Sequence, residues 1–374
     1  MKKYSWMVVL VVVIIGILTL VNSNSTPTKD NSVIKVGFIA PLSGDAVSYG
    51  ELMKNSVDLA VNEVNKSGGI DGRQIEMIYE DGKCNGKDAA TAAHKLIDID
   101  NVKYVVGAMC SGEAFGAVPV TSPAKVFFIS FAAGAAKLSG ISEYFLRNNP
   151  SDALTGSILA NYLSKQYKTA AIISEQTEYS QGIKDVFTSE AEKNNLKIVG
   201  SESYLSQTTD FRSELSKIKN LNPDIIFINP QNGKDVTLIA KQARQLGITS
   251  QFASTLVCSD PVIYTAGAVT NGMVCVNLTN LSSEKGKEFI NKYVEIYKAE
   301  PSFELYAGAA YDDIYLLKQA ISSVGDDSVK VTQYLRSLPS YNGTVGTYHF
   351  DKNGDIVGAG LILQKVSDKK LINI

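Results

Sequence analysis

Short apolar runs alternate with amphipathic segments along most of the chain. The first run, residues 33–40, is almost continuously apolar, a pattern typical of a strand buried on both faces. Apolar positions at helical spacing from Met53 to Val64 then predict a helix that ends at Gly68-Gly69. Further strands are predicted at 75–79, 102–106 and 126–129, with a helix at 89–97. This part of the chain therefore predicts a β-α-β-α-β-α-β unit.

A second unit of the same kind begins after the polar segment 147–152. Its strands are predicted at 169–173, 197–204, 225–228 and 273–276, with helices between them. Three more helices, at roughly 284–299, 304–323 and 328–337, and two late strands near 346–350 and 359–365 complete the chain. Alternating strands and helices predict parallel sheets with right-handed crossovers. The fold class is therefore α/β, with two Rossmann-like lobes between which the chain crosses more than once.

Residues 1–23 are predicted to be a signal peptide or an N-terminal membrane anchor. Lys2 and Lys3 precede an apolar core from Trp6 to Val21, which is the pattern of a secretory signal. If the segment is retained, the apolar run and its neighbouring residues together are long enough for a membrane anchor. Both alternatives place the rest of the chain outside the cytoplasm, and the polar residues 24–32 are expected to form a tether.

Four cysteines fit an exported protein. An even number in such a chain predicts disulfides, and Cys84, Cys110, Cys258 and Cys275 allow three connectivities. The most local arrangement, Cys84–Cys110 with Cys258–Cys275, is favoured. A zinc site is not expected, because the chain has no C-x-x-C pair.

Charge and motif content argue against several function classes. The chain has 36 Lys and Arg against 38 Asp and Glu, so no basic excess indicates a nucleic-acid partner. His94 and His349 are its only histidines, which leaves few residues for acid–base or nucleophilic catalysis. The first strand is not followed by a G-x-G-x-x-G fingerprint, and G-x-S-x-G and H-E-x-x-H are absent. We therefore expect no enzyme, no cofactor and no metal.

Loops at the carboxyl ends of the predicted strands carry small polar groups and tyrosines. Ligands of open α/β sheets bind at these ends. The candidates are Tyr49, Cys110, Ser111 and Ala132-Ala133-Gly134 in the first lobe, and Tyr179, Gln231 and Asn232 in the second. A serine hydroxyl and free N–H groups at a helix N-terminus suit a carboxylate, and tyrosines supply apolar walls with a polar tip. Two lobes that present such loops to each other predict a hinged binding cleft.

An ordered set of short motifs spans residues 33–366. It comprises IKVG at 34–37, PLSG at 41–44, NKSGGIDGR at 65–73, YED at 79–81, KYVVG at 103–107, YSQG at 179–182, KQAR at 241–244 and AYD at 310–312. The set resembles the leucine/isoleucine/valine-binding protein family, type I periplasmic binding proteins that serve ABC importers. The resemblance implies two lobes joined by a three-crossover hinge, with 33–148 plus 279–346 in lobe 1 and 149–278 plus 347–374 in lobe 2.

The function implied by the resemblance is that of an extracytoplasmic solute-binding protein of an ABC importer of the branched-chain amino acid type. Such a protein closes its lobes on an amino acid or a related small amide or carboxylate and delivers it to an ABC permease. Two alternatives are a ligand-sensing extracellular domain of a signalling system and an enzyme with an α/β core. Neighbouring permease genes would favour transport, and a neighbouring kinase or cyclase would favour sensing.

The resemblance also implies roles for particular residues. The serine that matches Ser111, with nearby backbone N–H groups, holds a ligand carboxylate, and the residue that matches Tyr49 packs over the ligand. Tyr179 and Tyr306 are expected to line the cleft. Cys84 and Cys110 match the paired cysteines of classic members, whereas Cys258 and Cys275 have no counterpart.

Three positions depart from the family pattern. A hydroxyl-bearing residue that helps to hold the carboxylate aligns with Gly134, and the acid that pairs with the ligand ammonium aligns near Leu256. Gln231 or Asn232 stands where an aromatic residue is common. An ammonium buried without a carboxylate is costly. The ligand class therefore stays open between α-amino acids, neutral amides and other carboxylates, with Asp312 or Asp260 as substitute acids.

Overall fold

The computed structural model describes residues 33–374, so the predicted signal or anchor and the tether lie outside the described residues. The described chain forms two α/β lobes, each built on a largely parallel sheet flanked by helices. Among these residues no helix has both the length and the apolar character needed to cross a membrane.

The first sheet has five parallel strands in the order β2-β1-β3-β4-β5. They are β1 (Ile34–Ala40), β2 (Ile75–Asp81), β3 (Tyr104–Gly107), β4 (Phe127–Ser130) and β5 (Phe145–Arg147). The helices between them are α1 (Val47–Lys66), α2 (Gly86–His94, extended by a π-helical turn at Lys95–Ile99) and α3 (Ser111–Thr121). β1 lies inside the sheet and is buried on both faces at all but one of its residues, which explains its nearly continuous apolar sequence.

The second sheet has seven strands in the order β15-β14-β10-β9-β8-β6-β7. They are β6 (Thr169–Glu175), β7 (Lys197–Tyr204), β8 (Ile225–Asn229), β9 (Gln251–Ser254), β10 (Val274–Leu278), β14 (Leu361–Ser367) and β15 (Lys370–Asn373). The helices are α4 (Asp152–Leu163), α5 (Glu178–Lys193), α6 (Arg212–Leu221), α7 (Gly233–Gln245) and the short α8 (Pro261–Tyr264). β6 to β10 pair in parallel, and β14 and β15 add to the β10 edge in antiparallel fashion.

The chain returns to the first lobe after β10. The return comprises α9 (Glu284–Tyr297), α10 (Glu304–Val324), α11 (Ser328–Ser337) and a small antiparallel sheet of β11 (Tyr341–Gly343), β12 (Gly346–Phe350) and β13 (Ile356–Val357). Tyr348 and Phe350 belong to the hydrophobic core of the first lobe, and the Tyr348 hydroxyl accepts from Asn148 at 3.1 Å. These contacts place the small antiparallel sheet against the first lobe.

Both disulfides join residues that are local in the fold. Cys84 pairs with Cys110, and Cys258 pairs with Cys275, with Cα atoms 5.1 and 6.3 Å apart respectively. This is the most local of the three possible pairings, as predicted. The first bond ties the loop after β2 to the residue before α3, and the second ties the 3₁₀ turn Leu256–Ser259 to β10. Each disulfide fixes a loop at the carboxyl end of a sheet.

Candidate functional site

The cleft between the lobes is bordered by segments that follow β1, β3 and β4 in the first lobe and β6, β8 and β9 in the second. These segments carry the predicted residues Tyr49, Cys110, Ser111, Ala132, Ala133, Gly134, Tyr179, Gln231, Asn232 and Leu256, and Tyr306 lies in the first turn of α10. Because parallel strands all end at one edge of a sheet, residues far apart in sequence meet at this cleft.

Aromatic rings form one wall of the cleft. Tyr49 meets Phe303 edge to face with ring centroids 5.2 Å apart, and Phe303 stacks on Tyr306 at 6.2 Å. Burial and the nearby Tyr179 hydroxyl raise the pKa of Tyr306. Burial is also the largest cause that raises the pKa of Tyr179. Three tyrosines from distant parts of the chain thus lie together as neutral phenols.

Tyr49 also joins the two lobes. Its hydroxyl donates to Asp260 Oδ2 at 3.1 Å, and the Gly233 N–H donates to the same hydroxyl at 3.4 Å. A second contact lies nearby, where Gln231 Nε2 donates to Cys84 Sγ at 2.8 Å. Polar side chains on facing loops therefore hold the lobes together.

Replacing Tyr49 by phenylalanine should loosen the closed arrangement. The variant keeps the ring packing against Phe303 but removes the hydrogen bonds to Asp260 and Gly233. One hydrogen bond is worth about 0.5–1.5 kcal/mol, so we expect amide hydrogen exchange at Gly233 to be about two- to tenfold faster. Global stability should change little. Tyr162→Phe, which lies outside the cleft, is the control. Unchanged amide exchange at Gly233 in Y49F would exclude a role of the Tyr49 hydroxyl in holding the lobes together.

The N-terminus of α3 presents hydrogen-bond donors. Ser111 Oγ accepts from the Ala135 N–H at 3.1 Å, which leaves the Ser111 O–H free to donate. In the described part of the chain, the N–H groups of Ser111 and Gly112 donate to no protein group. The partial positive charge of a helix N-terminus favours an anion. This corner is therefore suited to a carboxylate.

Glu113 fixes the loops on which this corner stands. Its carboxyl oxygens accept from the N–H groups of Cys84 and Cys110 at 3.1 Å each. Burial raises the pKa of Glu113 to about 7, although these donors oppose the shift. Cys110 is thus engaged through its sulfur in the disulfide and through its N–H with Glu113, and it positions the start of α3.

The loop after β4 contributes fewer donors than the sequence predicts. Ser130 Oγ accepts from the N–H groups of Ala132 at 3.4 Å and Ala133 at 3.0 Å. Those two donors stabilise the loop itself. The Gly134 N–H donates to no group among residues 33–374. Of the three predicted residues, Gly134 is therefore the one that keeps a backbone donor for a ligand.

A carboxylate that the sequence analysis did not select lies against Gly134. Asp152, the first residue of α4, is 0% exposed, and neither of its carboxyl oxygens has a hydrogen-bond partner in the described chain. A Cβ atom on Gly134 would lie 2.4 Å from Asp152 Oδ1. The absence of a hydroxyl side chain at Gly134 thus has a physical cause, because the Asp152 carboxylate occupies that space.

The charge of Asp152 acts on the cleft tyrosines. Burial raises the pKa of Asp152 to about 7, and the guanidinium of Arg147 opposes this shift. In addition to burial, the Asp152 charge raises the pKa of Tyr179 and of Tyr306. The carboxylate therefore lies among Gly134, Tyr179 and Tyr306.

Two second-lobe residues take structural positions. Leu256 is 3% exposed and belongs to the hydrophobic cluster of the first lobe together with Phe131 and Tyr306, so it makes an apolar contact between lobes. Asn232 Oδ1 accepts from the Asp235 N–H at 2.9 Å and caps α7. Asn232 is therefore committed to the start of a helix.

The two substitute acids considered from sequence already have partners. Asp260 Oδ1 accepts from the Val262 N–H at 3.0 Å, and its other oxygen accepts from Tyr49. Both Asp312 oxygens accept from the Thr344 N–H, at 3.0 and 2.8 Å, and Asp312 borders a separate pocket between α9 and α10. Neither carboxylate is free to hold a ligand ammonium.

The two parallel-sheet lobes meet through loops at the carboxyl ends of their strands. Hydrogen-bond donors for an anion, a buried acid and aromatic rings lie between the lobes. These features define a bilobal solute-binding protein. The family model described as "Periplasmic binding protein" matches residues 33–370, and the chain belongs to this family. Membership places the folded lobes outside the cytoplasm. The matching relatives are binding proteins, in line with the expectation that the chain is not an enzyme.

Curated relatives and solved structures match over nearly the whole chain. The leucine-, isoleucine-, valine-, threonine- and alanine-binding protein of Pseudomonas aeruginosa is 25% identical over 86% of this chain and 87% of the relative. The branched-chain amino acid transporter substrate-binding protein LivJ of Streptococcus pneumoniae, solved with isoleucine, is 27% identical with a TM-score of 0.81, over 91% and 98% of the two chains. A solute-binding protein of R. palustris, solved with benzoate, shares the fold at 19% identity with a TM-score of 0.82, over 92% and 96%.

Proposed function

We propose that the chain is the extracytoplasmic solute-binding component of an ABC importer, and that it binds an amino acid or a related small solute between its lobes. The observation that carries the proposal is the convergence of the Ser111 donors, the buried Asp152 and the tyrosine wall at one interlobe cleft. The relatives named for binding branched-chain amino acids support this ligand class.

Closure of the lobes is the proposed mechanism. A solute that contacts both lobes gains all its contacts only in the closed form, and it therefore shifts the population towards that form. We assign residues 33–148 and the return from 279 to the first lobe and the remaining described residues to the second. The three crossovers between them act as the hinge. Tyr49, Asp260 and Gln231 then supply direct contacts between the lobes in the closed state.

The importer partner and the route of export complete the proposal. A closed, loaded protein is the form that an ABC permease would accept, and relatives named as transporter components support that partner. We propose that residues 1–23 direct export and either are removed or remain as an anchor. The comparisons do not favour the alternative of a signalling input domain.

A thermal-shift panel on the purified protein tests the proposal. A ligand that binds only the native state stabilises it by about 2.7 kcal/mol at a concentration of a hundred times Kd. We expect saturable stabilisation by one or a few members of a panel of amino acids, amides and small acids. Denaturation and refolding beforehand remove any solute that co-purifies. No stabilisation by any member would contradict the proposal.

A further inference from the structure

We propose that Asp152 binds the ammonium group of the solute and so selects ligands that carry an amine beside a carboxylate. The inference rests on the proposed function, and it narrows the substrate class to α-amino acids. The family pattern places the ammonium-binding acid elsewhere, at the position of Leu256. The observation behind the inference is a fully buried carboxylate in the cleft that has no hydrogen-bond partner among residues 33–374.

The part of the chain that the structure describes supplies no hydrogen-bonded counter-ion for Asp152. The guanidinium of Arg147 acts on Asp152 through its charge, but four of its five N–H groups donate elsewhere. They donate to Asp355 Oδ1 at 2.6 Å, to the carbonyls of Gly134 and Ala135 at 2.8 and 2.9 Å, and to Ser139 Oγ at 2.7 Å. A buried carboxylate without a bonded cation is costly. A ligand ammonium, with three N–H donors, would satisfy the two free oxygens.

The Asp152 carboxylate lies beside the N-terminus of α3, which presents hydrogen-bond donors for an anion. The Asp152 N–H donates to the Gly134 carbonyl at 2.8 Å, and the Ser111 hydroxyl accepts from the next residue, Ala135, at 3.1 Å. The acceptor for a cation and the donors for an anion therefore meet at one dipeptide, Gly134-Ala135. An α-amino acid carries an ammonium and a carboxylate on a single carbon, so it can contact both the acceptor and the donors. A simple acid would leave the Asp152 carboxylate without a partner, and a simple amine would leave the Ser111 donors without one.

Two departures from the family pattern support the same assignment. Leu256 removes the usual acid from the second lobe, and Gly134 removes a hydroxyl side chain from the first. Asp152, which like Leu256 belongs to the second lobe, occupies the space next to Gly134 and supplies a negative charge there. Leu256, Phe131 and Tyr306 then leave an apolar surface for the ligand side chain.

The assignment predicts a pH dependence of binding. The charged and titratable groups that face Asp152 are Arg147, Tyr179 and Tyr306, and burial moves the pKa of both tyrosines further above neutral pH. Burial raises the pKa of Asp152 to about 7. A proton therefore competes with the ammonium below that pH. Affinity for L-leucine should fall about tenfold per pH unit below about pH 7 and level off above it.

Calorimetric titration of the ligand-free protein tests the inference with three probes. L-leucine carries both charges, isocaproate lacks the amine, and isoamylamine lacks the carboxylate. We expect L-leucine to bind and the two analogues to bind at least about thirtyfold more weakly. Asp152→Asn should lose about thirtyfold or more in affinity for L-leucine. Asp312→Asn, a buried acid outside the cleft, should bind within about twofold of the wild type.

The pH profile separates Asp152 from Glu113, whose pKa is also raised to about 7. Wild-type affinity for L-leucine should drop about a hundredfold from about pH 8 to about pH 5, and the profile of D152N should be nearly flat. If D152N does not fold, the three probes still test for an ammonium-binding acid, and the profile of Glu113→Gln assigns it: a fall below about pH 7 that persists in E113Q supports Asp152, and its loss contradicts the inference.

Several outcomes would overturn the inference. Binding of isocaproate as tight as that of L-leucine, or D152N affinity equal to the wild type, would remove Asp152 from the site while the solute-binding function stands. Binding of benzoate or another acid with no binding of any amine would do the same. If no member of the wider panel binds, the proposed function fails and the inference fails with it.

Discussion

Replacing Arg147 by methionine should lower the free energy of unfolding by about 3–5 kcal/mol. Arg147 is 0% exposed, and its guanidinium donates to Asp355, to Ser139 and to the carbonyls of Gly134 and Ala135. Methionine fills part of the volume, but it removes the ion-pair partner of Asp355 and one of the two donors to each carbonyl, of which only the N–H groups of Asp152 and Leu138 then remain. Urea unfolding followed by circular dichroism measures the loss.

Arg212→Met is the matched control for this substitution. Arg212 pairs with Asp210 at 2.6 Å, but both side chains are more than half exposed. An exposed ion pair contributes at most about 1 kcal/mol. Equal losses in R147M and R212M would contradict the role of Arg147 as the support of the Gly134-Ala135 loop.

Replacing Gly134 by alanine should impair binding more than it impairs folding. The added Cβ would lie 2.4 Å from Asp152 Oδ1 and 2.6 Å from Oδ2, so the carboxylate must move. Crowding of this kind costs about 1–3 kcal/mol. Because the displaced group is the proposed ammonium acceptor, we expect affinity for L-leucine to fall about five- to 150-fold. Titration calorimetry measures this change.

Gly182→Ala provides the control for the glycine substitution. Gly182 lies inside α5, and a Cβ there would meet Ala135 no closer than 3.9 Å. Alanine in a helix interior is about 0.5–1 kcal/mol more favourable than glycine, so G182A should be slightly more stable and bind normally. Unchanged affinity in G134A would show that the Asp152 carboxylate can move without cost.

The fold could be predicted from the sequence where elements are long and periodic. The predicted helices near 284–299, 304–323 and 328–337 correspond closely to α9, α10 and α11. Shorter strands were missed, such as β5 with three residues and β13 with two. Such strands are too short for a periodic pattern, and pairing with distant parts of the chain forms them.

The site could be predicted only at the level of its loops. The positions of Ser111, Tyr49, Tyr179 and Tyr306 follow from strand ends and family motifs. Asp152 was not selected because an acid in the first turn of a helix is common. Its burial and its fit against Gly134 depend on how the two lobes meet. A glycine that replaces a hydroxyl residue was the one sequence signal of this arrangement.

The most direct test of the account is the radius of gyration in solution, measured by small-angle X-ray scattering on the ligand-free protein before and after it is saturated. The solute should be the one that stabilises the protein most in the thermal-shift panel. The account predicts that the radius falls when the lobes close on the solute. Stoichiometric binding with no change in the radius would contradict it.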